Sequence, residues 1–255
     1  MPDTVLTEAR FGIGRIVTQT VGAIRRNAVP IILLCCVAHV AQTAASYLLD
    51  GEAIKLFPKQ PPWSRGLLSA SIVLASHAML TGSVTYIVVE DLDGRRARLG
   101  PAALFGARMM IPVVLLTLLI ALGGLVGSLL IAPGLMLVMR WFVAVPVRVI
   151  EGPGFRHVLS RSAALTRGHR WKLLALWVAY YALVAVLTYL SGFLVKALAG
   201  QGAWMGGFNP GAYLTAMILA VVTNSVNMAG TATVYGELRR VKDGGLPNQL
   251  AAVFE

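Results

Sequence analysis

Cysteine is the rarest residue of this sequence, and acidic residues are few for its length. Asp and Glu number 11 against 22 Lys and Arg, and charged residues together make up only 13% of the 255 positions. Soluble domains carry roughly 25% charged and 45–50% apolar residues, whereas 57% of this chain is hydrophobic and its mean hydropathy is +0.73. A water-soluble globular fold is therefore excluded as the expectation, and an integral membrane protein takes its place. The only cysteines, Cys35 and Cys36, are adjacent inside an apolar run. Neighbouring cysteines are poorly placed for a structural disulfide, and thiols in apolar surroundings stay protonated and inert.

Enzyme signatures are missing as well. The sequence has no HExxH, no GxSxG, no Cys/His ligand cluster and no glycine-rich P-loop ending in Lys-Ser/Thr. Such motifs supply metal ligands, an activated nucleophile or a phosphate cradle. His157 and His169 lack a neighbouring nucleophile with an orienting acid, and Glu90, Asp91 and Asp93, beside Gly94, Arg95 and Arg96, read as a solvated turn. No catalytic residue, metal site or cofactor is expected. Nor is a signal peptide: the first strongly apolar run begins near Val29, after Arg10, Arg15, Arg25 and Arg26, and no small-residue cleavage site follows before Asp50.

What the chain does have is long apolar runs. A span needs about 20 mostly apolar residues to cross about 30 Å of hydrocarbon, and six stretches qualify: 29–49, 67–89, 112–131, 135–150, 172–196 and 212–236. Ala132, Pro133 and Gly134 predict a tight turn between the third and fourth, and the fourth is the shortest and contains Arg140 and Pro146. The basic residues are unevenly shared. Seventeen of the 22 fall in 1–28, 90–111, 147–172 and 237–255, so the positive-inside rule puts both termini and the two long basic connections in the cytoplasm. An even number of spans is consistent with that.

The expectation is an all-α, polytopic membrane protein of six transmembrane helices in three hairpins, each preceded by an amphipathic interfacial helix. It forms a single integral membrane domain over 1–255. Three weakly similar blocks, 5–94, 95–152 and 153–245, each run from a basic, partly apolar segment through the membrane to an acid near a glycine. The stretch "EGPGFRHVLSRSAALTRGHRW" begins the third. On a helix, Phe155, Val158, Leu159, Ser162, Leu165 and Thr166 share one arc, and Arg156, Ser160, Arg161 and Arg167 lie largely outside it. Phe11, Ile13, Ile16, Val17, Val21 and Ile24 are similarly placed before the first span. Helices of this kind lie in the interface, drawn to anionic lipid by Lys and Arg. Arg156, Arg161, Arg167, Arg170 and Trp171 are therefore candidates for binding lipid or a partner. Nucleic acid is not an expected partner despite a formal net charge of +11.

Polar groups at membrane depth are the other candidates: His39 and Gln42 in the first span, His77 in the second, Arg140 in the fourth, and Asn224 and Asn227 in the sixth. Interhelical hydrogen bonds would satisfy the amides and imidazoles, and snorkelling would satisfy Arg140. The sharper alternative is a shared polar cavity. Gly123, Gly124 and Gly127 suit close helix packing without a ligand.

Pro133-Gly134, Arg140-Trp141, Pro146 and Glu151, followed by Arg161-Ser162, Leu165-Thr166-Arg167-Gly168 and Arg170-Trp171, resemble the membrane domain attached to some bacterial glycerophosphoryl diester phosphodiesterases. Stand-alone six-span bacterial membrane proteins share the pattern. The likeness is best over 110–175. It implies the membrane fold and a bacterial inner-membrane location. It does not imply hydrolysis, which in the two-part members belongs to a separate soluble barrel for which the sequence has no room. The leading functional expectation is a non-enzymatic scaffold or accessory subunit that binds anionic phospholipid and docks to a larger membrane protein complex through its basic face. A transporter or permeation pathway for a lipid or small solute is the alternative, and a membrane-embedded lipid phosphodiesterase ranks third.

Overall fold

The computed structural model describes residues 11–50, 61–128, 131–152, 154–199 and 210–243. Arg10 and Pro153 of the sequence reading lie outside the described residues. The fold is all-helical. In chain order the helices are α1 Ile13–Arg26, α2 Ala28–Asp50, α3 Pro62–Leu92, α4 Leu99–Ser128, α5 Ile131–Arg140, α6 Ala144–Glu151, α7 Phe155–Thr166, α8 Arg170–Ala199 and α9 Pro210–Asp243. Five of them, α2, α3, α4, α8 and α9, are long and apolar enough to cross a membrane. Helices α3 and α9 form the centre: both pack on α1, α2 and α6, α3 also takes α4, and α9 also takes α7 and α8.

Two short helices are amphipathic, but α1 departs from the expected arc: Phe11 and Ile16 are buried, whereas Ile13, Val17 and Val21 are exposed. In α1, Ile16, Thr20 and Ala23 are buried at spacings of four and three residues, while Arg15, Thr18 and Arg25 are exposed. In α7 the buried set is Val158, Ser162, Ala163, Leu165 and Thr166, and Arg156, Ser160 and Arg167 are exposed. Burying Val158 and Leu165 fully stabilises the docked α7 by roughly 1.5–3 kcal/mol each relative to exposure in water. Gly152 and Gly154 make the corner before α7 at φ 87° and 48°, backbone states that L side chains rarely adopt.

The second block departs from the expected layout in two ways. No separate interfacial helix precedes its span, because 99–111 is the first part of α4, which continues through Pro112. The reason lies in packing. A Cβ on Gly106 would overlap the Ser83 hydroxyl and approach the Met79 carbonyl of α3 to 2.5 Å, so the two backbones touch and hold this segment against α3. Small residues permit such close approach, and dispersion contacts then replace a hydrophobic driving force that lipid does not supply.

The fourth apolar stretch is not one continuous helix. It breaks at 141–143 between α5 and α6. Pro146 causes this: it has no N–H to give the Phe142 carbonyl and its ring crowds that carbonyl, so it is tolerated only in the first turn of a new helix. Ala132-Pro133-Gly134, expected as a turn, is helical instead: α5 already begins at Ile131 and carries Pro133 in its first turn. A Cβ on Gly127 would lie 2.6 Å from the Gly134 Cα, and one on Gly123 would lie 2.6 Å from the Trp141 ring, so these two glycines let α4 and α5 close on each other.

Replacing Gly106 with Ala forces the α3 and α4 backbones apart, and thermal unfolding in detergent should show a loss of about 1–3 kcal/mol, the usual cost of overpacking. Gly100→Ala in the same helix meets nothing within 4 Å. It should be neutral or stabilising by up to about 1 kcal/mol, because Ala is the better helix former.

Candidate functional site

The basic end of the molecule gathers α1, α7, the ends of α3, α6 and α9, and the start of α8. Hydroxyls and carboxylates hold these elements together. The side chain of Glu237 on α9 is fully buried. It accepts from Arg240 Nε at 2.9 Å and Nη2 at 2.8 Å, and from the backbone N–H of Gly12 at 3.2 Å, with Arg15 Nη1 at 4.0 Å. The Gly12 contact satisfies a backbone donor at the entry to α1, one that the helix itself leaves without a partner. One turn away Thr20 and Thr233 share a hydrogen bond at 2.7 Å. Together these contacts fix one end and the middle of α1 to α9.

The other end of α1 is fixed to α3. Arg26 Nε donates to Asp91 Oδ1 at 3.0 Å and Nη2 donates to Oδ2 at 2.6 Å, and Asn27 Nδ2 donates to the same carboxylate at 2.9 Å. Planar two-point pairing of this sort is the strong form of an arginine–carboxylate contact. It raises the Arg26 pKa further above the ordinary arginine range, chiefly through the hydrogen bond to Asp91. The reading of Glu90, Asp91 and Asp93 as a solvated turn therefore needs correction at Asp91, whose side chain is only 8% exposed. Glu90 and Asp93 pair locally with Arg95.

A third junction joins α6, α7 and α9. Arg161 Nε donates to Glu151 Oε2 at 3.1 Å, and its Nη2 contacts Asp243, which also lies 3.9 Å from Arg239 Nε. Tyr235 donates its hydroxyl hydrogen to Glu151 at 2.9 Å. The hydrogen bond to Asp243 is the largest cause raising the Arg161 pKa. Next to this junction Ser162 and Thr166 of α7 donate to the carbonyl of Arg140 at 3.1 and 3.3 Å. That carbonyl is available because of the break at 141–143: the Ala144 N–H bonds to Trp141 instead of reaching back four residues to Arg140.

The candidate residues thus divide. Arg161 is committed to internal acids, whereas Arg156 and Arg167 are exposed and make no ion pair among the described residues. Trp171 is 70% exposed, and Arg170 is partly buried with its Nε unpartnered. His169 stacks on Phe11 with ring centroids 4.9 Å apart, and Lys172 lies 5.9 Å over the same ring. Burial first, then the charges of Lys242 and Lys172, push the His169 imidazole below its ordinary value of 6.5.

The polar groups assigned to membrane depth do not form a network among the described residues. His39 lies in tilted contact with Tyr213, ring centroids 6.2 Å apart, and Asn227 Nδ2 reaches Tyr181 Oη at 3.4 Å. His77 is exposed, and no hydrogen bond to another side chain is found for Gln42 or Asn224. Arg140 ends α5 with its side chain exposed, and its carbonyl binds α7, so it belongs with the basic end. Sequence reasoning passed over Glu151, Glu237 and Asp243 as fastening points. The one available signal was that the acids recur near a glycine at the end of each block.

Fold and site together define an all-helical protein with several helices able to span a membrane and one end fastened by arginine–carboxylate junctions. Compared with known proteins, the chain matches no family model, no curated protein and no solved structure.

Replacing Glu151 with Gln removes the charge that Arg161 and Tyr235 share, and should lower stability by about 1–3 kcal/mol, as for other buried partners left incompletely matched. Arg156→Gln, at an exposed unpaired site, should stay within about 0.5 kcal/mol of wild type in the same thermal unfolding assay. The depressed imidazole of His169 has a directional consequence for pH. As pH falls from about 7 to about 5, the unfolded chain protonates this residue before the folded protein does, so the folded state loses stability over that interval. His169→Phe keeps the stack on Phe11, and the loss over that interval measured for wild type should shrink in it.

Proposed function

We propose that the protein is a non-enzymatic scaffold or accessory subunit of the bacterial inner membrane, with both termini cytoplasmic. In this reading it binds anionic phospholipid and docks partners through its basic cytoplasmic face. The supporting observation is the division of the arginines. Each of Glu90, Asp91, Asp93, Glu151, Glu237 and Asp243 is already in an ion pair with arginine, while Arg25, Arg96, Arg98, Arg108, Arg156 and Arg167 stand exposed without one among the described residues. A surplus of positive charge presented beside apolar helices favours phosphate-bearing lipid surfaces, with each Lys or Arg near an anionic leaflet contributing about 1 kcal/mol. The likeness of 110–175 to phosphodiesterase membrane domains fits a membrane element that works beside a catalyst instead of being one. The transport reading has less support, since the groups it would use are dispersed.

The test is the triple variant Arg156→Gln, Arg167→Gln, Arg170→Gln, with Arg161 left in place because it fastens α7. In nanodiscs of mixed phosphatidylglycerol and phosphatidylcholine, native mass spectrometry should show phosphatidylglycerol enrichment reduced roughly five-fold for each charge that faces lipid. Thermal stability should stay unchanged, and cross-links to a partner in native membranes should be lost. Unchanged lipid enrichment and unchanged cross-links would overturn the proposal.

A further inference from the structure

Helix α8 stands apart from the bundle. Only 6% of its span is buried, against 44% for α3, and its main packing partners are α9 and α5. Two clefts run along the line between α8 and α9. The outer one, about 580 Å³, lies between Val184–Lys196 of α8 and Ala212–Thr223 of α9. The inner one, about 320 Å³, is nearer the basic end and is roofed by α1. Tyr180 closes the boundary between them by donating to the Thr223 carbonyl at 2.8 Å.

The inner cleft has a largely apolar wall. Val17 and Val21 of α1, Trp177 and Tyr181 of α8, and Val226 and Gly230 of α9 line it. Val17 and Val21 are 49% and 60% exposed, so the cleft is open along α1. Its volume is at the low end of the roughly 300–1,000 Å³ usual for ligand sites. Toward the basic end, Lys172 stands one and two helical turns before the lining residues Leu176 and Tyr180, on the same row of α8. Lys242 lies in the last turn of α9, and its charge adds to that of Lys172 in depressing the His169 imidazole. Neither lysine has an acid partner among the described residues, and Asp243, the acid next to Lys242, is engaged by Arg161 and Arg239.

An apolar slot that opens where helices meet hydrocarbon, beneath cations that no carboxylate neutralises, matches one kind of molecule in both its parts. We propose that the inner cleft is a lipid site: one acyl chain of an anionic phospholipid lies between α1, α8 and α9, and its phosphate rests at the mouth against Lys172 and Lys242. This rests on the reading of the protein as a binder of anionic lipid, and gives that lipid a defined seat distinct from the exposed arginines.

The experiment uses the full chain in nanodiscs of phosphatidylglycerol and phosphatidylcholine with a trace of phosphatidylglycerol bearing a photoactivatable group in its acyl chain. Adducts mapped by mass spectrometry should concentrate on Val17, Val21, Trp177 and Tyr181. Unlabelled phosphatidylglycerol should compete several-fold better than phosphatidylcholine, a comparison that needs no variant. Gly230→Leu fills the cleft, and because a Cβ there meets only Thr20, at 4.0 Å, the helix should tolerate it. It should reduce these adducts several-fold, and Val17→Trp should do the same from the α1 side. The double variant Lys172→Gln, Lys242→Gln should keep the adducts and lose the preference for phosphatidylglycerol. Adducts spread evenly along the exposed row of α8, or unaffected by both filling variants, would overturn the site while leaving general anionic-lipid binding standing. Absence of any phosphatidylglycerol preference in wild type would sink both. Adducts that persist in the triple arginine variant support the cleft independently of the exposed face, whereas protein–protein cross-links that occupy the same wall would assign it to a partner helix and overturn the proposal.

Discussion

A carboxylate with no exposure to water must be matched by cations and N–H groups or lose its charge, and Glu237 is matched from two helices at once. Arg240 comes from its own helix, while Arg15 and the Gly12 N–H come from α1. Burying a charge pair is weak evidence for net stability, because desolvation offsets much of the attraction. What it does supply is position. With Glu237 holding one end of α1 and Asp91 the other, that helix has one place to lie on α9. The two valines that roof the inner cleft then have one place to point. The fastening of α7 through Glu151 and Asp243 follows the same logic, with Tyr235 adding a neutral donor.

Much of the architecture was legible because it depends on patterns along the chain. Apolar runs long enough for a bilayer marked α2, α3, α4, α8 and α9, and the helical spacing of Val158, Ser162 and Leu165 marked the face of α7 that buries, whereas on α1 the expected apolar arc buries Ile16 but leaves Ile13, Val17 and Val21 exposed. What escaped depends on residues far apart. Arg26 meets Asp91 across 65 positions, Arg161 meets Asp243 across 82, and Gly12 meets Glu237 across 225. No local period reports such pairs. The break at 141–143 was half legible: Pro146 announced a disturbance, but only packing decided that Arg140 would end a helix and offer its carbonyl to Ser162 and Thr166.

The three blocks marked out along the sequence arrange their helices differently. Blocks one and three each place a short amphipathic helix ahead of two long ones, α1 before α2 and α3, and α7 before α8 and α9. The middle block spends its basic segment on the start of α4, where Gly106 lets the backbone meet α3, and then divides its return between α5 and α6. That division brings the end of α5 beside α7. The middle block therefore supports the third one's interfacial helix without having a separate one of its own.

The scarcity of acids at the basic end has a consequence for how the sequence tolerates change. Arginine is supplied in excess, so losing one exposed copy leaves others to present charge to the same surface. The carboxylates are few, and two of them each hold more than one donor: Asp91 takes Arg26 and Asn27, and Glu237 takes Arg240 and the Gly12 N–H. Redundancy thus lies mainly with the exposed cations, and drift in such a chain is freer to reshuffle its positive residues than its few negative ones.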